Sequence, residues 1–163
     1  MPAAGKSYWA QKLAAAYGFE YIDLDKVIES AAGKSISAIF SEDGEAGFRE
    51  KERQALHHLI AHRSQDTIIA SGGGTPCYFD NMSLMLQNGT VIYLQTDIDT
   101  LLSRLEAGQQ ERPLLISGHI RERLQHLLHI RKPVFEKAHH ILHSENISLA
   151  TFEEIITSCT NRH

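Results

Sequence analysis

The sequence predicts an α/β domain, a parallel sheet with helices on both faces. Three observations lead there. Short β-prone runs at residues 19–22, 67–70, 90–94 and 140–143 alternate with longer stretches of helical periodicity. Thr67-Ile68-Ile69-Ala70 and the run from Thr90 to Leu94 are continuous rather than alternating in their apolar character, as strands covered on both faces are. Glycines stand where the chain has to turn, at Gly5, Gly18, Gly33 and Gly72 to Gly74. With 163 residues, one domain around one core is the expectation.

Residues 7–17 read as a helix with Leu13 and alanines on its apolar side and Gly18 as its stop. A short strand at 19–22 ends at Asp23-Leu24-Asp25. Residues 26–32 are helical and stop at Gly33. Ser35 caps a short helix carrying Ile36, Ile39 and Phe40, which ends in a turn at Asp43-Gly44. A longer helix at 45–62 can bury Phe48, Leu56, Leu59 and Ile60. After the 67–70 strand and its three glycines come a helix at 80–87, the 90–94 strand and a helix at 97–105. Residues 109–118 are polar, contain Pro113 and lack core residues, so a mobile loop is expected there. A helix at 119–130 should be perturbed near Pro133. A weak strand at 140–143 and a final helix at 148–158, capped by Ser148, complete the chain.

A formal charge of −4 gives no whole-chain case for nucleic acid or an anionic membrane. No stretch approaches the ~20 apolar residues that span a bilayer. Cys77 and Cys159 lack metal-ligand spacing and suit reduced thiols. The expectation is a cytoplasmic protein that binds neither nucleic acid nor membrane. Histidines pair at His57-His58, His58 with His62, His126 with His129, and His139-His140. No HExxH pattern and no carboxylate partner accompanies them, so surface positions are expected rather than a metal centre.

The chemistry-bearing segments follow the strands. Gly5-Lys6-Ser7 fills the last three places of G-x-x-x-x-G-K-[ST], directly before a helix. The first glycine and the leading strand would precede Met1. About eight further residues, an apolar strand ending in Gly, are therefore expected upstream, with Met1 internal. Gly33-Lys34-Ser35 repeats the tripeptide, but Ile28 occupies its first-glycine place, so it is a helix stop and cap. Asp23 and Asp25, alternate residues at a strand end, are expected to point to opposite sides and offer two carboxylates for different work, or alternatively to form a turn and a helix N-cap. Arg49 has two readings, a solvated face near Glu45 or Glu52, and a guanidinium that leans into the cleft to fork onto a carboxylate. Gly72-Gly73-Gly74 is hard to justify as a plain turn, because three glycines carry an entropic cost. Close approach of a ligand to bare backbone is favoured. Arg112, in the polar loop, and Arg131 are further candidate anion clamps, against solvated loop and helix-end alternatives. Ligands of parallel sheets bind at the carboxyl ends of the strands, which gathers these segments at one edge.

Together the segments resemble the shikimate kinase family. The match runs in order through Gly5-Lys6-Ser7, Asp23-Leu24-Asp25, Gly33-x-Ser35-Ile36-x-x-Ile39-Phe40 and Gly44-Glu45-x-x-Phe48-Arg49-x-x-Glu52. It continues through Gly72-Gly73-Gly74, Arg112-Pro113-Leu114-Leu115 and Arg131-x-Pro133. The resemblance implies a three-layer P-loop kinase fold with five parallel strands in the order 2-3-1-4-5, the first absent from this sequence. It implies one domain over residues 1–163, with its core at 1–106 and 119–163 and a mobile lid at about 107–118. The implied reaction is ATP-dependent phosphorylation of the 3-hydroxyl of shikimate, with ATP as co-substrate and Mg²⁺ as cofactor, in chorismate and aromatic amino acid biosynthesis, by a monomer.

By position, Ala3, Ala4, Gly5, Lys6, Ser7 and Tyr8 would bind ATP, with Arg104 along the adenine and Arg112 coming from the lid. Ser7, and Asp23 through water, would hold the metal. Asp25 would hold the substrate hydroxyls and serve as base, beside Lys6 and Arg112 as catalytic groups. Arg49 and Arg131 would grip the substrate carboxylate, and Gly72, Gly73 and Gly74 would offer backbone to it. The sequence departs from the family at Ala3 (commonly Gly), Tyr8 (usually Ser or Thr) and Val134-Phe135 (usually Leu-Tyr). The competing readings are another small-molecule P-loop kinase resembling gluconate kinase, and a catalytically inactive nucleotide-binding regulatory module.

Overall fold

The computed structural model describes residues 1–62, 66–107 and 119–160. Its helices are α1 (Lys6–Tyr17), α2 (Leu24–Ala32), α3 (Ile36–His62), α4 (Asn81–Asn88), α5 (Ile98–Ala107), α6 (Ile120–Phe135) and α7 (Leu149–Thr160). Its strands are β1 (Glu20–Asp23), β2 (Thr67–Ala70), β3 (Ile92–Gln95) and β4 (His140–His143). The strands form two parallel pairs, β1 with β2 and β3 with β4. The register runs from Glu20 opposite Thr67 to Asp23 opposite Ala70, and from Ile92 opposite His140 to Gln95 opposite His143. These correspond to the outer pairs of the expected five-strand order. Among the described residues no strand leads into the phosphate loop, and no ladder joins β2 to β3.

Both pairs share one core. Ile68 of β2 packs into the cluster formed by Tyr93, Leu94, Leu101, Leu124, Phe135 and Phe152, together with Met1, Ala4 and Leu13. A second cluster of Leu24, Ile28, Ile39 and Phe48 locks α2 against α3. Burial of each such aliphatic side chain contributes ~1.5–3 kcal/mol, so these contacts fix where α2 and α3 stand.

The helix boundaries have local causes. Gly18 and Gly33 end α1 and α2 in the left-handed conformation. The hydroxyl of Ser35 accepts from the Ala38 N–H at 3.2 Å, capping α3 as expected. Ser148 and Thr151 cap α7 reciprocally: Thr151 N donates to Ser148 Oγ, and Ser148 N to Thr151 Oγ1. The break expected at Asp43-Gly44 is present, and it divides α3 into two helical segments. Gly44 leaves helical geometry (φ 68°, ψ −175°) between the segment that starts at Ile36 and the longer one that runs to His62. Pro133 does not end α6, which runs on to Phe135. A proline this close to the C-terminus forfeits one backbone bond, and Glu136 N still reaches Lys132 O at 2.9 Å. The 3₁₀ turn at Thr75–Cys77 was not expected. The lid segment and its Arg112 lie outside the described residues, apart from the lid's first residue, Ala107, which ends α5.

Candidate functional site

Residues 1–5 wrap into a loop whose last residue, Gly5, enters α1 at φ 86°. Gly5, at the N-cap of α1, makes no side-chain cap bond, and a helix N-terminus entered through a loop of this kind suits an anion. Lys6 turns back over the loop, its Nζ donating to Met1 O at 2.7 Å. The exposed Arg104 approaches from α5 and donates from Nη1 to Ala3 O at 3.3 Å. Trp9 packs below, with its ring 5.4 Å from that of Phe152. Tyr8 projects into solvent and stacks edge-on to Trp9. Ala3 itself has φ 54°, a left-handed conformation that a Cβ disfavours. The place where the sequence departs from the family's glycine is thus one where the backbone asks for glycine.

The Asp23 carboxylate stands beside this loop. Its Oδ2 accepts from Ser7 Oγ at 3.3 Å and from Tyr21 at 3.1 Å, while Oδ1 accepts from the Asp25 N–H at 3.0 Å. Asp23 is therefore the N-cap of α2, as one of its two readings held. The strand-alternation argument for Asp23 and Asp25 does not hold, because the helix starts at Leu24 and places Asp25 in its first turn. Asp25 is instead directed by α2 toward the glycine run. Its Oδ1 would lie 3.3 Å from a Cβ on Gly72.

Arg49 is buried rather than solvated, with 5% of its surface exposed. Its Nη1 donates to Glu52 at 2.9 Å, and its Nη2 and Nε donate to Glu45 Oε1 at 3.1 and 3.3 Å. The Tyr78 ring covers the guanidinium with its centroid 4.1 Å from Cζ. Burial works against the Arg49 charge, but Glu52, and after it Tyr78 and Glu45, outweigh it and raise the pKa above the ordinary guanidinium value. Glu52, with none of its surface exposed, also accepts from Thr75 Oγ1 at 2.5 Å. Buried Asn81 in turn donates to Thr75 O at 2.9 Å. This network ties α3 to the turn after β2.

The three glycines have neighbours of the protein's own. A Cβ on Gly72 would lie 2.8 Å from Glu52 Oε1, one on Gly73 3.1 Å from Met1 C, and one on Gly74 2.7 Å from Arg49 Nη2. Close approach is indeed the reason for glycine here, and parts of the same chain make that approach. Arg131, also buried, donates from Nη1 to Gly73 O at 3.2 Å. Gly73 thus joins Arg131 to the start of the phosphate loop.

The expected residues Lys6, Ser7, Asp23, Asp25, Arg49, Gly72 to Gly74 and Arg131 therefore gather at one edge, and Arg104 reaches the loop from the other side. Thr75, Tyr78 and Asn81 were not singled out from sequence. A Thr and an Asn after a glycine run carry no motif, and only contact reveals their role. His58 and His62 stack at 4.2 Å on the exposed side of α3. Among the described residues no group of three His, Cys, Asp or Glu side chains could hold a metal.

The family model for shikimate kinase matches residues 2–161. A shikimate kinase from Parabacteroides distasonis is 41% identical over 138 residues, covering 83% of this chain and 79% of that protein. One from Bacteroides fragilis is 39% identical, covering 85% and 78%. The crystal structure of shikimate kinase from Bacteroides thetaiotaomicron superposes with a TM-score of 0.83 at 32% identity, over 99% of this chain and 90% of that one. Shikimate kinase from Acinetobacter baumannii in complex with shikimate gives 0.86 at 30%, over 96% and 89%. With this site in this fold and a family model spanning almost the whole chain, the protein belongs to the shikimate kinase family.

Proposed function

We propose that this protein transfers the γ-phosphate of ATP to the 3-hydroxyl of shikimate, with each step carried by the residues gathered above. One observation carries the reading. Gly73 sits between Arg131 and the Met1–Pro2 backbone, and Arg49 stands against the adjoining Gly74, so the two arginines read as carboxylate-binding lie beside the phosphate-binding loop across the glycine run.

The loop backbone and the N-terminus of α1 receive the phosphates, and the Lys6 ammonium offsets their charge. Arg49 and Arg131 bind the shikimate carboxylate. This orients the ring so that its hydroxyls face Asp25, at the other end of the glycine run. As the hydroxyl oxygen forms its bond to the γ-phosphorus and the bond to the bridging oxygen breaks, Asp25 accepts the hydroxyl proton and ADP leaves. Arg112 would add charge stabilisation from the lid, and Arg104 would lie along the adenine.

The Ser7 hydroxyl and Asp23 carboxylate, hard oxygens 3.3 Å apart at a helix N-terminus, fit Mg²⁺. This ion keeps several waters and needs few protein ligands. Bound there, it supplies positive charge to the phosphate oxygens. We take the protein to be a cytoplasmic monomer; no described helix is long and apolar enough to cross a membrane.

The test is ADP release, followed with shikimate, gluconate and nucleoside monophosphates as acceptors. Turnover with shikimate is expected, and turnover with gluconate alone overturns the assignment.

A further inference from the structure

The carboxylate cradle already contains a carboxylate. Oε1 of Glu45 accepts three hydrogen bonds, from Arg49 Nε and Nη2 and from the Tyr78 hydroxyl, the last at 2.7 Å. The field of Arg131 reaches it as well. The Tyr78 bond is the largest influence holding Glu45 below the ordinary glutamate range, with Arg49 and Arg131 adding to it against burial. The charges in the cradle cancel: Arg49 and Arg131 are matched by Glu45 and Glu52. A ligand carboxylate added to this set leaves an excess negative charge, which a buried guanidinium pair tolerates poorly.

The two glutamates are not equivalent. Glu52 is fully buried and bound on both sides, whereas the Glu45 side chain is 45% exposed. Glu45 also follows directly on the Gly44 kink in α3, where a break in helical geometry has already been accepted. It is the carboxylate that can leave.

We propose that Glu45 is a place-holder that occupies the Arg49 fork when substrate is absent, held there by Tyr78, and that the substrate carboxylate displaces it. The place-holder keeps a buried cation paired and oriented between turnovers, and it sets specificity, since only a ligand carrying its own carboxylate can replace what it removes. This proposal rests on the reading of Arg49 and Arg131 as carboxylate-binding residues.

The test is calorimetric titration of the full chain with shikimate and with its methyl ester, for wild type and Glu45→Gln. With Glu45 45% exposed, this ion pair is screened on its carboxylate side, and its loss corresponds to a change of about twofold to fivefold. The variant is expected to bind shikimate tighter by that factor and to lower the KM for shikimate without moving that for ATP. The ester, which has no charge to exchange, gains nothing. Tyr78→Phe, which removes only the anchoring hydroxyl, is expected to shift the shikimate Kd in the same direction. An unchanged or raised Kd in either variant that retains a cooperative melt overturns the place-holder while leaving the substrate site in force. A wild-type chain that binds neither ligand overturns both.

Discussion

Glu52→Ala tests whether the Arg49 network is what holds the site in shape. Glu52 is fully buried and receives Arg49 Nη1 at 2.9 Å and Thr75 Oγ1 at 2.5 Å. Removing one partner of a buried ion pair costs about 3–5 kcal/mol, because the other charge is stranded. Here Glu45 still touches Arg49, so the lower end, about 3 kcal/mol, applies. The Thr75 hydroxyl loses its acceptor, which adds roughly 1 kcal/mol. The total of about 4 kcal/mol is a large part of a net stability of roughly 5–15 kcal/mol. At ~2–4 °C per kcal/mol for a chain of this size, the melting midpoint should fall by about 8–16 °C. The control is Glu42→Ala, whose side chain is 58% exposed and pairs with Lys34. It should stay within ~0.5 kcal/mol of wild type. Thermal melts followed by far-UV circular dichroism measure both. A Glu52→Ala midpoint within ~3 °C of wild type would falsify the claim that this buried pair anchors α3 to the glycine turn.

Four further outcomes are expected. Asp25→Asn should abolish phosphoryl transfer while ATP binding, followed by titration, persists; near-normal turnover removes Asp25 from the base role. Arg49→Lys should raise the shikimate KM by roughly tenfold, since a point charge cannot reproduce the planar fork, and an unchanged KM counts against the clamp. Ala3→Gly should stabilise the protein by about 0.5–1 kcal/mol: relief of the left-handed strain exceeds glycine's extra chain entropy. A lower urea midpoint in that variant would show that the loop is not strained. The Glu29 carboxylate is held below its ordinary value by the Lys26 hydrogen bond and then by the Ile36 N–H. A depressed folded pKa adds stability above the unfolded value, near ~4.3, and that stability is lost as pH falls through the folded value. The stability gap between wild type and Glu29→Gln should therefore be open at neutral pH and close below pH ~4; a gap independent of pH refutes the linkage.

Much of the architecture was legible because it rests on local rules. Glycine stops, serine caps and continuous apolar strands act within a few residues, and Gly18, Gly33, Ser35 and Ser148 do what their residue types dictate. Two local expectations gave way to context. Pro133 was tolerated inside α6 because one lost bond near a helix end is cheap against the packing of Leu124 and Phe135 on either side. Asp25 was placed by the first turn of α2 and not by strand alternation, because Asp23 capped the helix earlier than the pattern indicated.

The site divides the same way. Local motifs singled out Lys6, Ser7, Asp23, Asp25, Arg49, the three glycines and Arg131, most of them with a structural alternative open, and the resemblance to the shikimate kinase family supplied their expected roles. No spacing rule could bring Thr75 to Glu52, Tyr78 to Glu45 or Gly73 to Met1, pairs separated by 23, 33 and 72 positions. Those contacts exist because parallel strands and the packed α2–α3 pair bring distant loops to one edge. What the sequence by itself determined was the class of chemistry, written in residue types at fixed local offsets. What only the tertiary structure decided was the state of the charges. Whether Arg49 is solvated or buried, and which carboxylates face it, depends on desolvation and on neighbours that the chain order does not name.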